Sequence, residues 1–159
     1  MRLLIAAIGK LKDDEEREIC ARYAKRLTGV GKPVALGPLE ILEMPESRAS
    51  STIDRKDDEA RRLLKAAEGG FKIALDAGGK QLTSEKFAAM LGAERDAGAK
   101  SIAFLIGGPD GHGHSALDQS NLQLSLGSLT LPHGLARVVL VEQLYRAATI
   151  LAGHPYHRA

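Results

Sequence analysis

Residues 101–108, SIAFLIGG, form a nearly continuous apolar run that closes in two glycines. An unbroken run of this kind reads as a strand buried on both faces rather than one with a wet side. Similar segments lie upstream: 2–8, RLLIAAI, stopped by Gly9; 39–44, LEILEM; and 71–79, FKIALDAGG, which closes in a glycine turn with Asp76 at its carboxyl end. Helical patterns separate them. Residues 13–27 carry Ile19, Tyr23 and Leu27 at four-residue spacing, with Asp13 placed to cap and Gly29 to stop the helix. Further helices are expected from Thr52 or Asp54 to about 68, from 84 to 95, and from 135 to 152, the last ended by Gly153 and Pro155. Strands alternating with helices give an α/β fold, an open, mostly parallel sheet with helices on both faces. In such sheets ligands bind beyond the carboxyl ends of the strands, so 76–79, 107–111 and 131–134 are candidate ligand loops. No repeat and no boundary interrupts residues 1–159, which read as one domain.

The 159 residues are 44% apolar and 26% charged, an ordinary globular composition. No apolar run approaches 18 residues, so no membrane span is expected. The lone Cys20 cannot form an internal disulfide; it reads as a small buried residue in a cytoplasmic protein. The net charge of +2 is too small to establish nucleic-acid binding. Its distribution says more. From Gln119 onward there is one acid, Glu142, against Arg137, Arg146 and Arg158, and all five histidines lie at 112 or later. The serine-rich segment near 47–52 reads as mobile, and Arg48, Arg55 and Lys56 beside it either meet a polyanion or are simply solvated.

Several familiar chemistries fail on spacing. GHGHSA at 111–116 matches a loose dinucleotide pattern, but no acid follows about 20 residues on to hold a ribose. There is no G-K-[ST] phosphate loop, no HExxH metal pair and no nucleophile elbow around Ser115. IGGPDG at 106–111 and LTLPHG at 129–134 remain. Each alone reads as a turn, the second as a strand end with a proline-fixed loop; together they suggest a shared small-molecule pocket. The final helix is apolar on more than one face, explained by a homodimer interface or by burial in a large core. Glu142 and Arg146 form an i, i+4 pair on it, and the tail HPYHRA adds an aromatic ring, imidazoles and a guanidinium.

The segments Leu105-Ile106-Gly107-Gly108-Pro109, Leu129-Thr130-Leu131-Pro132-His133, Glu142, Leu144-Tyr145-Arg146-Ala147 and His154-Pro155-Tyr156-His157-Arg158 resemble the bacterial RlmH family of SPOUT-superfamily methyltransferases, over the full chain. Departures are mild: Asp110-Gly111-His112-Gly113 is a variant segment, and Gly134 stands where proline would also fit. The resemblance implies a SPOUT-type fold with a carboxyl-terminal trefoil knot, in a homodimer. It implies transfer of a methyl group from S-adenosylmethionine, without a metal, to N3 of a pseudouridine in a stem-loop of large-subunit ribosomal RNA on assembled ribosomes. By position, the cofactor is expected among Leu75, Gly108, Gly127, Ser128, Leu129, Thr130, Leu131 and Pro132. Tyr156, His157 and Arg158 are expected to hold base and phosphate, with Arg146 and Glu142 behind them and His157 as proton acceptor. A non-catalytic ribosome- or RNA-binding module of the same fold is the alternative, separated by cofactor binding.

Overall fold

A computed structural model describes residues 1–158; Ala159, the end of the 154–159 tail and of the expected 1–159 domain, lies outside the described residues. In chain order the elements are β1 (Arg2–Ile8), α1 (Asp14–Gly31), β2 (Leu39–Met44), α2 (Thr52–Ala66), β3 (Phe71–Gln81), α3 (Ser84–Asp96), β4 (Ser101–Ile106), α4 (His114–Asp118), β5 (Leu122–Ser125) and α5 (His133–Leu151). The five strands form one sheet in the order β2-β1-β4-β3-β5, and each neighbouring pair is parallel.

The unbroken apolar strands have a direct cause. Leu3, Ile5 and Ala7 of β1 join Ile102, Phe104 and Ile106 of β4 in a core beneath α1, α3 and α5. Ala6 and Ile8, with Ala103 and Leu105, face the other way and pack under Leu63 and Ala67 at α2. Alternate residues thus serve opposite faces, and both faces are covered. Burying each Leu, Ile or Phe side chain stabilises by roughly 1.5–3 kcal/mol. Cys20 is buried in the larger core, as expected, and takes the inner place on α1 alongside Leu27 and half-buried Tyr23.

Local geometry corrects several sequence expectations. Asp13 caps α1 by accepting from the Glu15 and Glu16 amides at 2.9 and 3.1 Å. The helix runs through Gly29 to Gly31, because Gly29 stays helical and the chain turns left-handed only at Ala35. Ser51, not Thr52 or Asp54, caps α2, its hydroxyl accepting from the Asp54 amide at 3.0 Å. The glycines after Asp76 do not end β3. They form an irregularity between Leu75 and Lys80, after which pairing with β5 resumes. A side chain at Gly79 would come within 2.7 Å of the Gln123–Leu124 backbone, so only glycine lets the strands approach there. LTLP at 129–132 is a loop; the preceding LQLS at 122–125 makes the strand.

The two-faced apolarity of α5 also has an explanation inside the chain. Leu140, Val141, Leu144, Ala147 and Ala148 are all buried in the larger core, between α1 and α3. Leu135, by contrast, is 46% exposed. Arg137 is the largest fully buried side chain, ion-paired with Glu43 and donating to the Gly9 carbonyl at 3.2 Å. It ties α5 to the ends of β1 and β2. At Gly134 an added side chain would meet the Glu16 carboxylate, so proline there requires that carboxylate to swing away. Among the described residues, no helix is long and apolar enough to cross a membrane.

Candidate active site

The carboxyl ends of β3, β4 and β5 open onto a cavity of about 390 Å³. Leu75, Gly108, Gly127, Leu129, Thr130 and Leu131 line it, all from the set expected to bind cofactor. Ser128 and Pro132 do not line it, although both belong to the same loop; Pro132 instead precedes the first turn of α5. The volume falls in the range of about 300–1,000 Å³ usual for small-molecule sites. Apolar walls from Ile106, Leu124 and Leu126 alternate with a few polar groups, among them Asp76, Ser125 and His133.

At 108 an added side chain would displace a buried carboxylate. A side chain there would lie 2.6 Å from Glu59 Oε2 and 3.1 Å from Ile8. Glu59 is only 3% exposed; its Oε1 accepts from the Ser47 amide at 2.8 Å, and its Oε2 has no hydrogen-bond partner. This carboxylate backs the glycine loop. Arg55 ties the same loop from outside, donating to Asp110 Oδ2 at 2.8 Å and to the Ala49 and Ser50 carbonyls at 3.3 Å. Arg62 holds Pro45 O at 2.6 Å. The serine-rich segment expected to be mobile is therefore fastened to α2, while Arg48 remains exposed. His112, 7% exposed, lines the cavity and approaches the Leu75 carbonyl through Nε2 at 3.1 Å. Burial lowers its pKa below the ordinary imidazole value, against smaller raising effects of the Leu75 carbonyl and Asp76.

A second cavity of about 250 Å³ adjoins the first, sharing Leu124, Ser125, Leu126 and Gly127 with it. Ser84, Phe87 and Gln143 lie on its other sides. Gln143 leads from it to the tail. Its Nε2 donates to Glu142 Oε2 at 2.7 Å, and its Oε1 accepts from Ser84 Oγ at 2.7 Å.

Glu142 is the hub of the carboxyl-terminal group. Its Oε1 accepts from Arg146 Nε and Nη2 at 3.1 and 2.7 Å and from the Tyr156 hydroxyl at 2.9 Å. Arg146 also stacks over the Tyr156 ring at 4.9 Å, and Tyr145 meets that ring edge-on at 4.7 Å. His157 Nδ1 lies 3.4 Å from Arg146 Nη1, and its Nε2 lies 2.7 Å from Glu85 Oε1. A guanidinium can only donate, so Nδ1 accepts in this arrangement and Nε2 carries the proton toward Glu85. Burial, then the Tyr23 hydroxyl and the Glu142 carboxylate, push the Tyr156 phenol well above its ordinary pKa. Tyr156 is thus neutral near neutral pH, its hydroxyl proton given to Glu142. Arg158 is exposed.

The fold therefore gathers Glu142, Arg146, Tyr156 and His157 into one network, and gathers the glycine and 126–132 loops into one cavity. None of those four side chains lines that cavity. A family model described as "Predicted SPOUT methyltransferase" matches residues 1–157. Over 160 residues the chain is 48% identical to the ribosomal RNA large subunit methyltransferase H of Xanthobacter autotrophicus, with both chains fully covered. The chain belongs to the RlmH family of SPOUT methyltransferases. The protein of the same name from Brucella anthropi is 46% identical over 160 residues, again with both chains fully covered. That from Chelativorans sp. is 45% identical over 158 residues, covering 99% of this chain and 91% of the other.

For this RlmH-family chain, the sequence reading passed over Glu59, Glu85, Gln143 and Tyr23. Glu59 and Gln143 sit on helices whose patterns look ordinary, and only packing shows what they face. Glu85 is 72 residues from His157, a pairing that no local spacing signals. Tyr23, on the apolar stripe of α1, also places its ring 5.8 Å from Tyr145, extending the aromatic group toward α1. The described residues include no group of three or more His, Cys, Asp or Glu side chains arranged to hold a metal ion.

Proposed function

We propose that this chain methylates N3 of a pseudouridine in a stem-loop of large-subunit ribosomal RNA, on assembled ribosomes in the cytoplasm, with S-adenosylmethionine as donor. The observation that carries the reading is the pairing of a backbone-built cavity at the carboxyl edge of the sheet with a separate, charge-dense network on the tail. The cavity suits an adenosine-sized ligand: Gly108 gives close backbone approach, leucines give apolar faces, and Asp76 is a carboxylate for hydroxyl or ammonium groups. The backbone around Gly108 and the 127–131 loop would hold S-adenosylmethionine there, and it would supply an electrophilic methyl carbon on a sulfonium.

The chain's own task is alignment and proton control. Positioning of reactants can supply roughly 7–11 kcal/mol. Tyr156 and Arg158 hold the base and its phosphate, and Arg146, oriented by Glu142, faces the negative charge that develops when N3 loses its proton. His157 takes that proton at Nδ1, the nitrogen that accepts from Arg146 in the resting arrangement.

We further propose that residues 1–159 act as one SPOUT domain with a carboxyl-terminal trefoil knot, in a homodimer. Family membership supports the knot. The dimer is supported by family membership and by exposed Leu129 and Leu135 beside the cavity mouth, which a second copy would cover. The test is transfer of labelled methyl to ribosomes from a strain lacking the activity, with naked ribosomal RNA alongside. Label at a single modified uridine of intact ribosomes is expected. Cofactor binding without label would point to another RNA acceptor, and neither binding nor label would leave a non-catalytic binding module.

A further inference from the structure

We infer that the second cavity, between α3, α5 and the 124–127 segment, receives the acceptor base itself, and that Gln143 donates a hydrogen bond to a carbonyl oxygen beside the methylated nitrogen. The inference rests on the methyltransferase reading above. Its starting point is placement. The second cavity shares Leu124, Ser125, Leu126 and Gly127 with the donor cavity, so a ring seated in it adjoins the donor. Gln143 connects that same cavity to Glu142 and so to Arg146 and Tyr156. Of the two cavities, it is the one joined both to the donor site and to the tail network.

Size and lining fit a single flipped ring. Its volume of about 250 Å³ falls below the range of about 300–1,000 Å³ usual for drug-sized ligands, while enzymes that modify a base draw it out of its stack into a closely fitting pocket. Leu82, Phe87, Leu126 and Val139 offer apolar surface to ring faces, and Gln81, Ser84 and Gln143 offer polar groups to ring edges.

The hydrogen bonds of Gln143 fix its chemistry. The Glu142 carboxylate can only accept, so the group facing it is the amide nitrogen; the Ser84 hydroxyl donates to the amide oxygen. One N–H of the amide is committed to Glu142, and the second has no partner in these bonds. A uracil-type ring flanks N3 with two carbonyl oxygens. When N3 gives up its proton, the charge spreads onto those oxygens, so an oriented N–H there stabilises the anion that attacks the methyl carbon. A cytosine-type ring presents an amino group on one side of N3, which gives the amide N–H nothing to donate to on that side. Gln143 thereby serves both rate and base choice, and Ser84 serves as a positioning residue that holds the amide.

The experiment uses the full-length protein with ribosomes lacking the modification, measuring cofactor affinity by calorimetry and methyl transfer across pH. Gln143→Met keeps volume and removes the donor. It is expected to lower kcat roughly 100-fold, the usual effect of losing one such donor, to leave cofactor affinity unchanged, and to move the rising limb of the pH–rate profile to higher pH. Ser84→Ala, which leaves the donor but frees its orientation, is expected to lower kcat less and to leave cofactor affinity unchanged. Wild-type kcat in both variants would overturn the inference, as would a Gln143→Met protein that has lost cofactor binding, since the cavity would then belong to the donor. A wild-type protein that binds cofactor but methylates no ribosome overturns the functional reading itself, an outcome separate from either.

Discussion

The cavity proposed for the cofactor and the carboxyl-terminal network are built from different parts of the chain. The cavity is made of loops at strand ends, with Gly107, Gly108, Gly111 and Gly127 in its lining and Asp76 as its carboxylate. The network is made of side chains, with Glu142 accepting four hydrogen bonds from Gln143, Arg146 and Tyr156, on α5 and the tail that folds back on it. A backbone-built site tolerates changes in side chains but not in the space glycine leaves; a side-chain network tolerates the reverse. Each prediction that follows tests whether the two regions are separable in this way.

The largest effect is expected from ending the chain after Gly153. Methyl transfer should disappear while calorimetry still detects cofactor at wild-type affinity; loss of both would mean the regions form one site. In mixed dimers, a tail-less subunit paired with one carrying a damaged cavity should recover activity, and failure to recover would argue against a shared site. Next comes Gly108→Val, which forces a side chain toward Glu59 Oε2 and Ile8. It should abolish cofactor binding and destabilise the fold by about 1–3 kcal/mol, as overpacking does, read by thermal unfolding.

Glu142→Ala should act on the other region alone. Arg146 and Tyr156 lose their common acceptor, a cost of about 1–3 kcal/mol for partly buried groups, and methyl transfer should fall sharply with cofactor affinity intact. A smaller effect is expected from pH at the cavity wall. The His112 pKa is depressed below its ordinary 6.5, chiefly by burial. The folded state therefore binds fewer protons than the unfolded one just below that value. Stability should be full above about pH 6.5 and decline as the pH falls toward the depressed value, and less steeply in His112→Gln. An equal slope in the two proteins would assign the acid sensitivity to other groups. The smallest change is expected from Asp110→Asn, which breaks an exposed pair with Arg55. Exposed pairs contribute little, so the melting temperature should hold, and a large drop would mean the glycine loop depends on that clasp.

How much of this was legible beforehand differs between the regions. The strand at 2–8 was legible to the residue, and the one starting at 101 apart from its two closing glycines, because a strand buried on both faces leaves a nearly unbroken apolar run. The strand at 39–44, at the sheet edge, keeps two glutamates and was still legible. The cap at Asp13 was equally plain. The end of β3 was not, since glycines that usually mark a turn here admit a neighbouring strand at Gly79. Nor was the strand before the 126–132 loop, where LTLP has the stronger strand composition and LQLS makes the pairing. Six of the eight residues expected from the resemblance to bind cofactor line the cavity, and the tail was visible as a density of functional groups. Their arrangement was not visible: Glu142 to Tyr156 spans 14 residues, Ser84 to Gln143 spans 59, and His157 to Glu85 spans 72.

By itself the sequence determined the layered α/β plan, the glycine loops and the chemical character of the tail, because hydrophobic period and backbone freedom are local properties of the chain. Only the tertiary structure decided that Glu59 backs Gly108, that Arg137 is buried against Glu43, and that Gln143 joins a second cavity to the tail. Those are contacts between surfaces distant in sequence, chosen by how helices settle on a shared sheet, and a side chain's role there depends on what it meets.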